Sequence, residues 1–574
     1  MGIQRSRTAV TNMLHMNARD TEVNRQLWWG LGPSADLVKT ENIEFRGYLY
    51  NAVKKVYEGE NTLVVLPTGM GKTYVAVFAA AKGIKEGRKV LLLAPTVPLV
   101  NQHLETIRSV LHDATGVTAV TGNVLPIDHR KALERESKVI VATPETIVSD
   151  MGNMDWSRFG YVIFDECQKT RGNYAYCKIA TALNGKGVQA IGLTATPSSR
   201  TEIVSDIQKR LGITASFVRT ATDPEIVPYI MKSSTTYRTV SKSKQMLALE
   251  DAIRSMINYN FNVLRENKLT KAESFYALPR KDFEKIKGKI EERWADRQFG
   301  VFDFEKLGKC TTAYHKISYL SHALTLVQTE GIYPLNEYLT SLLTMQGSKR
   351  TASINELVRG RPFNDLLFRT RIEIREGHEH PKVKEILDIS DFNKDKKMIV
   401  FVQYHSTMKM LAERLGANGV NTVQLAGKAH GMNHRTQKEA ISRFRESANG
   451  TILISTQIGE EGIDVPDMPM VINYSPVPSG IRSRQRKGRT GRTSPGIVIT
   501  LVTKDSRDEA FMNSSNWREK HMDNILRKMS TETASAPVPA AEKPQERTAA
   551  HPPSQSKDGA ERKRPPVQLR LGFN

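Results

Sequence analysis

The sequence is poor in cysteine and has no long apolar run, and each shortage excludes a class of protein. Its three cysteines, Cys167, Cys177 and Cys310, form no C-x-x-C pair, so neither a disulfide framework nor a zinc site is predicted. No apolar run approaches the roughly 18 residues that a membrane-spanning helix needs, so no membrane partner is expected. The low cysteine content fits a reducing interior, and a cytoplasmic location is expected.

Positive charge, in contrast, is in excess. The chain carries 83 Lys and Arg residues against 61 Asp and Glu, which gives a net charge of +22. Such a surplus favours a polyanionic partner, most simply a nucleic acid, although solubility alone would also account for it. At 574 residues the chain has the length of roughly three or four domains, each with its own core.

One stretch has the layout of a phosphate-binding loop, because an apolar run precedes it and a helical pattern follows it. Its residues are Leu66, Pro67, Thr68, Gly69, Met70, Gly71, Lys72 and Thr73. The two glycines let backbone N–H groups point inward, as a phosphate cradle requires. Lys72 would reach the β- and γ-phosphates, and the Thr73 hydroxyl would hold Mg²⁺. ATP and Mg²⁺ are the expected cofactors.

Strand-like apolar runs alternate with helical patterns in two parts of the chain. The runs are residues 89–95, 139–144, 161–166 and 190–194 in the first part, and 398–403, 451–456, 470–474 and 496–501 in the second. Continuous apolar strands separated by helices predict parallel sheets that are covered on both faces. The fold class is therefore α/β, with two parallel-sheet lobes.

Between the two α/β parts the strand signals vanish and long charged helical patterns take over. The predicted organisation is a loose N-terminal arm (1–35), a first lobe (36–235), an all-helical insertion (236–375), a second lobe (376–528) and a disordered tail (529–574). The tail is assigned from its Pro, Ala, Ser, Glu and Lys content and its lack of apolar residues.

One helix of the insertion, within residues 280–300, carries two stripes. The apolar stripe is Phe283, Ile286, Ile290 and Trp294, and the basic stripe includes Lys281, Lys285, Lys289 and Arg293. The apolar stripe predicts the face that is buried. A solvated face and a surface that follows a phosphate backbone both remain open for the basic stripe.

Two further motifs would complete a nucleotide-hydrolysing site. Asp165 and Glu166 end an apolar strand, where Asp165 would hold Mg²⁺ through a water and Glu166 would polarise the attacking water. Arg489 and Arg492, interleaved with glycines, would stabilise charge on the γ-phosphate, although a basic run of this kind also occurs in nucleic-acid patches.

The motifs, in this order, resemble those of superfamily 2 helicases, with residues 193–197 as a further motif and 485–492 as the arginine-rich one. Additional stretches, over about residues 37–520, resemble the archaeal Hef helicases and their eukaryotic FANCM relatives. These stretches are residues 171–176, 223–229, 380–382 and 474–479. The resemblance implies two RecA-like lobes and an ATP-dependent helicase that remodels branched or forked DNA in replication-fork repair, close to the nucleoid.

The resemblance also implies roles for single residues. Arg46 and Tyr48 would contact the adenine, Asp464 would face the ribose, and Gln485 would sense the γ-phosphate. The residues implied to grip one nucleic-acid strand are Thr96, Thr121, Gly122 and Thr143 in the first lobe, and Gln403, Thr456 and Gly462 in the second. The insertion corresponds to a thumb-like domain that binds branched duplex, which favours nucleic-acid contact by the basic stripe.

The sequence departs from the family pattern at three points. Leu49 stands where a glutamine that recognises adenine is expected, and Gln168 stands where a histidine or aspartate usually follows Asp-Glu-x. The XPF-type nuclease that follows the helicase in Hef is not predicted, because no strand pattern surrounds Glu561-Arg562-Lys563. The resemblance is therefore to the helicase part alone.

Two alternative functions remain open, and the C-terminal residues suggest one possible protein partner. Asp165-Glu166-Cys167 is also similar to the RNA helicases of the RIG-I and Dicer branch, and Leu49 with Gln168 would suit a nucleic-acid-binding scaffold that does not hydrolyse ATP. Near the C-terminus, Gln568, Leu571 and Phe573 resemble a degenerate docking peptide for the sliding clamp PCNA, and a chance match is equally compatible with them.

Overall fold

The computed structural model describes residues 26–122, 137–231, 233–295, 301–427, 431–459, 467–491 and 495–534. These residues fall in one structural unit, which ends at Ala534. Two parallel sheets with helices around them, separated in the sequence by a group of helices, confirm the predicted α/β fold class with two lobes.

The first sheet has seven parallel strands. They are β1 (Thr62–Val65), β2 (Lys89–Leu93), β3 (Val117–Val120), β4 (Val139–Ala142), β5 (Phe159–Asp165), β6 (Gln189–Thr194) and β7 (Ala215–Val218). Their order across the sheet is β3-β4-β2-β5-β6-β1-β7. The central strands are apolar and buried on both faces, which is why their sequences predict them. The edge strands β3 and β7 are partly exposed, and the sequence pattern missed them.

Helices follow the strands of this sheet. They are α1 (Gly47–Tyr57), α2 (Lys72–Lys85), α3 (Val97–Val110), α4 (Pro144–Asp150), α5 (Ala175–Leu183) and α6 (Thr201–Arg210). Because α2, α3 and α4 each begin within a few residues of a strand end, their N-termini lie along the carboxyl edge of the sheet. Backbone N–H groups are thus available at this edge.

The N-terminal arm is shorter than the sequence predicts. Trp28 is fully buried, stacks on Phe78 with ring centroids 4.7 Å apart, and meets the edge of Phe45 at 5.2 Å. The prediction of a loose arm is therefore wrong for residues 26–35, which pack on the first lobe through this indole; residues 1–25 lie outside the described residues. Leu27, Trp28 and Trp29 form a short apolar cluster in an otherwise polar stretch, and no periodicity around it predicts a packed segment.

The second sheet has six parallel strands. They are β8 (Ser233–Val240), β9 (Met398–Phe401), β10 (Thr422–Leu425), β11 (Ile452–Ser455), β12 (Met470–Asn473) and β13 (Gly496–Thr503), ordered β10-β11-β9-β12-β13-β8. Strand β8 pairs along its whole length with β13, so the predicted boundary at residue 235 and the absence of strands from 236 onward are wrong. Its Ser- and Thr-rich sequence and its exposed edge position give no apolar signal.

The insertion between the sheets is helical. Its helices are α7 (Lys244–Glu266), α8 (Arg280–Ala295), α9 (Val301–Thr329), α10 (Ile332–Thr344), α11 (Ala352–Arg359) and α12 (Arg361–Arg375). They share a core of their own that includes Ile257, Ile317 and Leu335. In the part of the chain that the structure describes, every helix is too short or too polar to span a membrane.

The second lobe adds five helices and ends on one that reaches the first lobe. They are α13 (Pro381–Phe392), α14 (His405–Ala417), α15 (His434–Glu446), α16 (Gly480–Lys487) and α17 (Arg507–Ala534). In α17, Met522 and Leu526 are buried in the core of the first lobe with Leu211 and Val218. The helix also extends beyond the predicted tail boundary at residue 528.

A buried ion pair joins the insertion to the second lobe. The Lys382 ammonium donates to the Asp508 carboxylate at 2.6 Å, to the Ser475 hydroxyl at 2.8 Å and to the backbone carbonyl of Thr329 at 2.9 Å. Both charged side chains are inaccessible to solvent. One ammonium thus connects the end of α9, the start of α13, the loop after β12 and the start of α17.

We predict that Lys382→Met destabilises the protein strongly, because it leaves the Asp508 carboxylate buried without its cation. Losing one partner of a buried pair costs about 3–5 kcal/mol, whereas replacing both partners is close to neutral. Chemical denaturation should therefore show a large loss for the single variant and a recovery for Lys382→Met with Asp508→Leu. Lys309→Met, which breaks the exposed pair with Glu305, is the control. Equal losses in the single and double variants would contradict the assignment.

A second buried carboxyl at this joint predicts a pH dependence. Burial raises the pKa of Glu330 to about 7, although Lys382 and the Thr407 hydroxyl act against that shift. Because the folded protein holds this proton more tightly than the unfolded chain, the stabilisation is lost as pH rises through about 7. We expect the free energy of unfolding to fall from about pH 5 to about pH 8, and to fall less in Glu330→Gln. An identical slope in both proteins would refute this.

Candidate active site between the two lobes

The predicted phosphate loop forms a turn between β1 and α2. Gly69 and Gly71 both adopt a left-handed φ of 80°, which glycine reaches without strain. The Leu66 amide donates to the Thr194 carbonyl at 3.2 Å and ties the start of the loop to β6. The Lys72 ammonium bends back over the loop and donates to the carbonyls of Leu66 at 3.0 Å and Pro67 at 3.3 Å. Thr73, half-buried, begins the helix beside it.

Asp165 ends β5 next to this loop. Burial alone would raise the pKa of its carboxyl, but His103, at 2.8 Å from the carboxylate, and the charge of Lys72 hold that pKa below its usual value. The Tyr176 hydroxyl donates to the backbone carbonyls of Asp165 at 2.7 Å and Leu93 at 3.0 Å, so it fixes the ends of β5 and β2. The carboxylate therefore stays ionised in a rigid position.

His103 was not predicted from the sequence, although a signal exists. It lies in α3 between Val100 and Ile107, on the face that faces the sheet. A polar ring on a buried helix face needs a hydrogen-bonding partner, and strand ends at the same edge are where such a partner can lie. The spacing therefore identifies His103 as a side chain that must be paired, but it does not identify Asp165 as the partner.

Glu166 is held by the residue that departs from the family pattern. Gln168 donates from Nε2 to the Glu166 carboxylate at 2.5 Å, and its Oε1 accepts from the Thr194 hydroxyl at 2.6 Å. The Thr194 hydroxyl in turn accepts from the Thr196 amide at 3.0 Å. Gln168 thus links Glu166 to residues 193–197, and it preserves a hydrogen-bonded connection between these two motifs.

The arginine-rich turn of the second lobe lies directly against the phosphate loop of the first. A Cβ at Gly488 would lie 3.1 Å from Cγ2 and 3.2 Å from Cβ of Thr68, so a side chain at this position would require Thr68 or the turn to shift by a few tenths of an ångström. Gln485 lies in α16 just before the turn, and Arg489 follows it with a side chain that is almost fully buried. The turn between Gln485 and Arg489 therefore lies beside the phosphate loop, and the roles of the two side chains stay predictions.

Four sets of predicted residues are not described by the structure. Arg492, Asp464 and Gly462 lie outside the described residues, and so do the clamp-docking residues Gln568, Leu571 and Phe573. Their predicted roles remain predictions. The same holds for the tail beyond residue 534.

Arg486, one residue after Gln485, has a structural position. Its side chain is 1% exposed, and it donates to the Asn473 side chain at 3.3 Å and to the Ser475 carbonyl at 3.2 Å. The guanidinium also lies 5.3 Å from the ring centroid of Phe401, within range of a cation–π contact. Arg486 therefore fastens α16 to the sheet, and the sequence pattern offers no basis for separating it from Arg489.

The residues implied to contact the adenine form a small group beside the loop. Tyr48 is fully buried, and its hydroxyl donates to the Met70 sulfur at 3.5 Å, so this side chain packs against the phosphate loop. Arg46 bonds the Tyr48 hydroxyl at 3.1 Å and covers the ring of Tyr229 at 4.7 Å. Leu49 is also buried, against Gly71. Arg46 and Tyr229 are thus the partly exposed members of this group.

The implied strand-gripping residues lie at the carboxyl edges of the two sheets. Thr96, Thr121 and Thr143 follow β2, β3 and β4, while Gln403 and Thr456 follow β9 and β11. Gln403 is exposed, as is Gly122, whereas Thr121, Thr143 and Thr456 are buried. Contact of these residues with a nucleic-acid strand stays a prediction, and the three buried threonines present little side-chain surface.

The basic stripe of α8 is largely engaged by the chain itself. Lys289 donates to the Leu269 carbonyl and Arg293 to the Asn267 carbonyl, both at 3.2 Å, and Lys285 pairs with Asp282 at 2.8 Å. Ile286 and Ile290 are buried, as the apolar stripe predicts. The cationic surface that remains is therefore smaller than the sequence indicates, and nucleic-acid contact by Lys281, Lys285, Lys289 and Arg293 stays a prediction.

Two family models match the chain. Residues 50–204 match the DEAD/DEAH box helicase model, and residues 381–494 match the helicase conserved C-terminal domain. The first segment contains the phosphate loop, Asp165 and Glu166, and the second contains Gln485 and Arg489. The matched segments therefore coincide with the two halves of the cleft.

Individual proteins show the same likeness. The solved structure of the Pyrococcus furiosus Hef helicase domain is 32% identical, superposes with a TM-score of 0.59, and is matched over 84% of this chain and 100% of that one. A Methanocaldococcus jannaschii protein with the provisional name of an ATP-dependent RNA helicase is 32% identical over 86% of this chain and 62% of its own. The ATP-dependent DNA helicase fml1 of Schizosaccharomyces pombe is 26% identical over 84% and 60%.

The chain thus spans about three-fifths of the length of these curated relatives, whereas it covers the whole solved domain. The matched region of each relative includes the insertion as well as the two lobes, since it extends over more than four-fifths of this chain.

The contact at Gly488 gives a direct test of the cleft. Gly488→Ala should push the arginine-rich turn away from Thr68 and lower the rate of ATP hydrolysis about tenfold, the effect of ~1.4 kcal/mol at the barrier. Adding Thr68→Ser removes the methyl group that the new Cβ meets, and should restore part of the rate. Phosphate release measures both. An unchanged rate in Gly488→Ala would contradict a close approach of the turn during catalysis.

Proposed function

We infer the function from one premise: the chain belongs to the superfamily 2 helicases of the Hef and FANCM-like type. We propose that it is an ATP-driven helicase or translocase that remodels branched or forked DNA in replication-fork repair. The observation that carries this proposal is the contact of Gly488 with Thr68, because it places the arginine-rich turn of one lobe on the phosphate loop of the other.

The residues at the cleft fit a magnesium nucleotide. The left-handed glycines orient backbone N–H groups for phosphate oxygens, and Lys72 can exchange its two loop carbonyls for the β- and γ-phosphates. The Thr73 hydroxyl would supply an oxygen ligand to Mg²⁺, and the ionised Asp165 would hold the ion through a water. Bound there, Mg²⁺ would neutralise phosphate charge.

Glu166 is the proposed base that orients the attacking water and accepts its proton. Gln168 donates to this carboxylate at 2.5 Å and accepts from the Thr194 hydroxyl, which in turn accepts from the Thr196 amide. A shift of Glu166 during hydrolysis therefore moves hydrogen-bond partners in residues 193–197. This link supports coupling of hydrolysis to movement, and it argues against the scaffold that does not hydrolyse ATP.

The second lobe completes the charge around the transferred phosphoryl group. Arg489 follows α16 in the turn that approaches the phosphate loop, while Arg486 anchors that helix to Asn473 and Ser475. An arginine that approaches the phosphate only when the lobes are together stabilises transition-state charge and senses the nucleotide. Repeated closing and opening would then move the strand-gripping edges of the two sheets along one nucleic-acid strand.

RNA is the second candidate substrate, and the name of the Methanocaldococcus jannaschii relative is the observation that favours it. The names of the Schizosaccharomyces pombe helicases point to DNA. Both substrates carry the phosphate backbone that a +22 chain would bind. The sliding clamp remains a further proposed partner, and a pull-down with and without residues 566–574 tests it.

The experiment is a steady-state ATPase assay at one stated salt concentration, without nucleic acid and with single-stranded DNA, forked DNA or duplex RNA. We expect forked DNA to stimulate most. Lys72→Ala, Glu166→Gln and Arg489→Ala should each lower the stimulated rate by about 10³-fold or more, and Lys309→Ala is the matched exposed control.

Each other outcome of this assay identifies a rival. Preference for duplex RNA would replace the DNA proposal with the RNA one, and absence of hydrolysis with every nucleic acid would favour the scaffold. Full turnover in any of the three variants would overturn the role given to that residue.

A further inference from the structure

Helix α12 of the insertion has two faces of opposite character. Phe363, Leu366, Leu367 and Thr370 face the core and are buried. On the outer face, Phe368 is 65% and Ile372 is 36% exposed, one helical turn apart. An exposed apolar pair on the crest of an otherwise well-packed helix is a candidate contact surface.

Arginines frame this apolar pair. Arg361 and Arg375 lie on the same outer face as Phe368, while Arg369 and Arg371 flank it on either side. Arg361 has a distant acidic neighbour in Asp365, at 3.6 Å.

The other three arginines, Arg369, Arg371 and Arg375, are exposed and have no ion-pair partner among the described residues. They differ in this from the cations of α8, two of which are bound to backbone carbonyls.

An open groove runs beside the same helix. It has a volume of about 470 Å³ and lies between α7, α11 and α12, with Met256, Phe363 and Leu366 in its wall. Tyr259, 74% exposed, and Arg369 stand at its rim. Lys316, which also lines the groove, is already paired with Glu356 at 2.8 Å. The groove thus adds a second exposed aromatic ring next to an unpaired guanidinium.

We propose that the outer face of α12, together with Tyr259, binds the single-stranded arm of a branched DNA substrate. Phe368 and Tyr259 would stack on bases, and Arg369, Arg371 and Arg375 would bind phosphates along the same strand. Cations that follow a backbone and aromatic rings that accept any base are the combination by which proteins hold single strands. This surface rests on the proposed DNA function and names one of its substrate contacts.

Phosphate is favoured over a protein partner by charge complementarity. The side chains of α12 include four arginines against Asp365 and Glu373, and Glu373 lies 2.7 Å from His378. The surface left free is therefore cationic around an apolar crest. An acidic protein is the alternative occupant, and the binding experiment below distinguishes the two.

The position of α12 gives such a contact a mechanical consequence. The chain leaves α12 at Arg375 and enters α13 after His380, whose ring bonds the Lys382 amide at 3.1 Å. Lys382 then fixes the end of α9 to the second lobe. A strand held on α12 would therefore move with the second lobe during the ATP cycle.

The test measures the affinity of the full chain for a fluorescent fork with single-stranded arms and for a blunt duplex, over a series of salt concentrations. We expect Phe368→Ala to weaken fork binding about 5- to 100-fold and blunt-duplex binding little, and Phe368→Trp to retain fork binding. Phe392→Ala, which removes an aromatic ring that is 87% exposed on α13, is the matched control.

The arginines are tested separately. Replacing Arg369, Arg371 and Arg375 together by Gln should reduce the slope of log affinity against log salt for the fork by about 2, since each lost phosphate contact removes about 0.7. Fork binding equal to wild type in both Phe368→Ala and the triple variant would overturn the proposal and leave α12 to a protein partner.

The ATPase assay separates this failure from failure of the proposed function. If forked DNA stimulates the wild-type protein while Phe368→Ala binds and responds as wild type, only the assignment of α12 fails. If the wild-type protein neither binds the fork nor responds to it, the DNA function itself fails, and the α12 proposal falls with it.

Discussion

The close approach of the two lobes depends on the lack of a side chain at Gly488. Gly488 lets the arginine-rich turn of the second lobe approach Thr68 of the phosphate loop so closely that an added Cβ would lie 3.1 Å from its methyl group. The groups proposed for hydrolysis are divided between the lobes, because Lys72, Asp165 and Glu166 lie in one and Gln485 and Arg489 in the other. If these residues have the proposed roles, the distance between the lobes is part of the active site.

Two chains of buried polar contacts extend from this meeting point. In the first lobe, Gln168 connects Glu166 with Thr194. In the second, Arg486 bonds the Ser475 carbonyl, the Ser475 hydroxyl accepts from Lys382, and Lys382 reaches the Thr329 carbonyl at the end of α9. The second chain leads from the helix next to the arginine-rich turn into the insertion. These hydrogen bonds form a continuous buried path by which movement of the turn could be passed to the insertion.

A structural feature can be predicted from the sequence when it leaves a local pattern there, and not when it depends on partners that are distant in the sequence. Buried parallel strands are apolar on both faces and were predicted, whereas the edge strand β8 is built from Ser and Thr and was not. The phosphate loop needs glycine at fixed points, so its pattern is local and visible. His103 and Arg486 owe their roles to partners 62 and 13 residues away, respectively, which no local pattern contains. For the same reason the sequence did not predict that Lys289 and Arg293 of α8 are hydrogen-bonded, because the carbonyls that accept from them belong to a neighbouring loop.

Helix α17 belongs to both lobes at once. It is 28 residues long, about 42 Å at the usual rise, and it is fixed at Asp508 in the second lobe and at Met522 and Leu526 in the core of the first. Because α17 is held by both lobes, rotation of one lobe against the other would strain this helix. Wide separation of the lobes therefore requires either a bend in α17 or withdrawal of both apolar side chains, at roughly 1.5–3 kcal/mol each. This cost favours small changes in the separation of the lobes over full opening of the cleft.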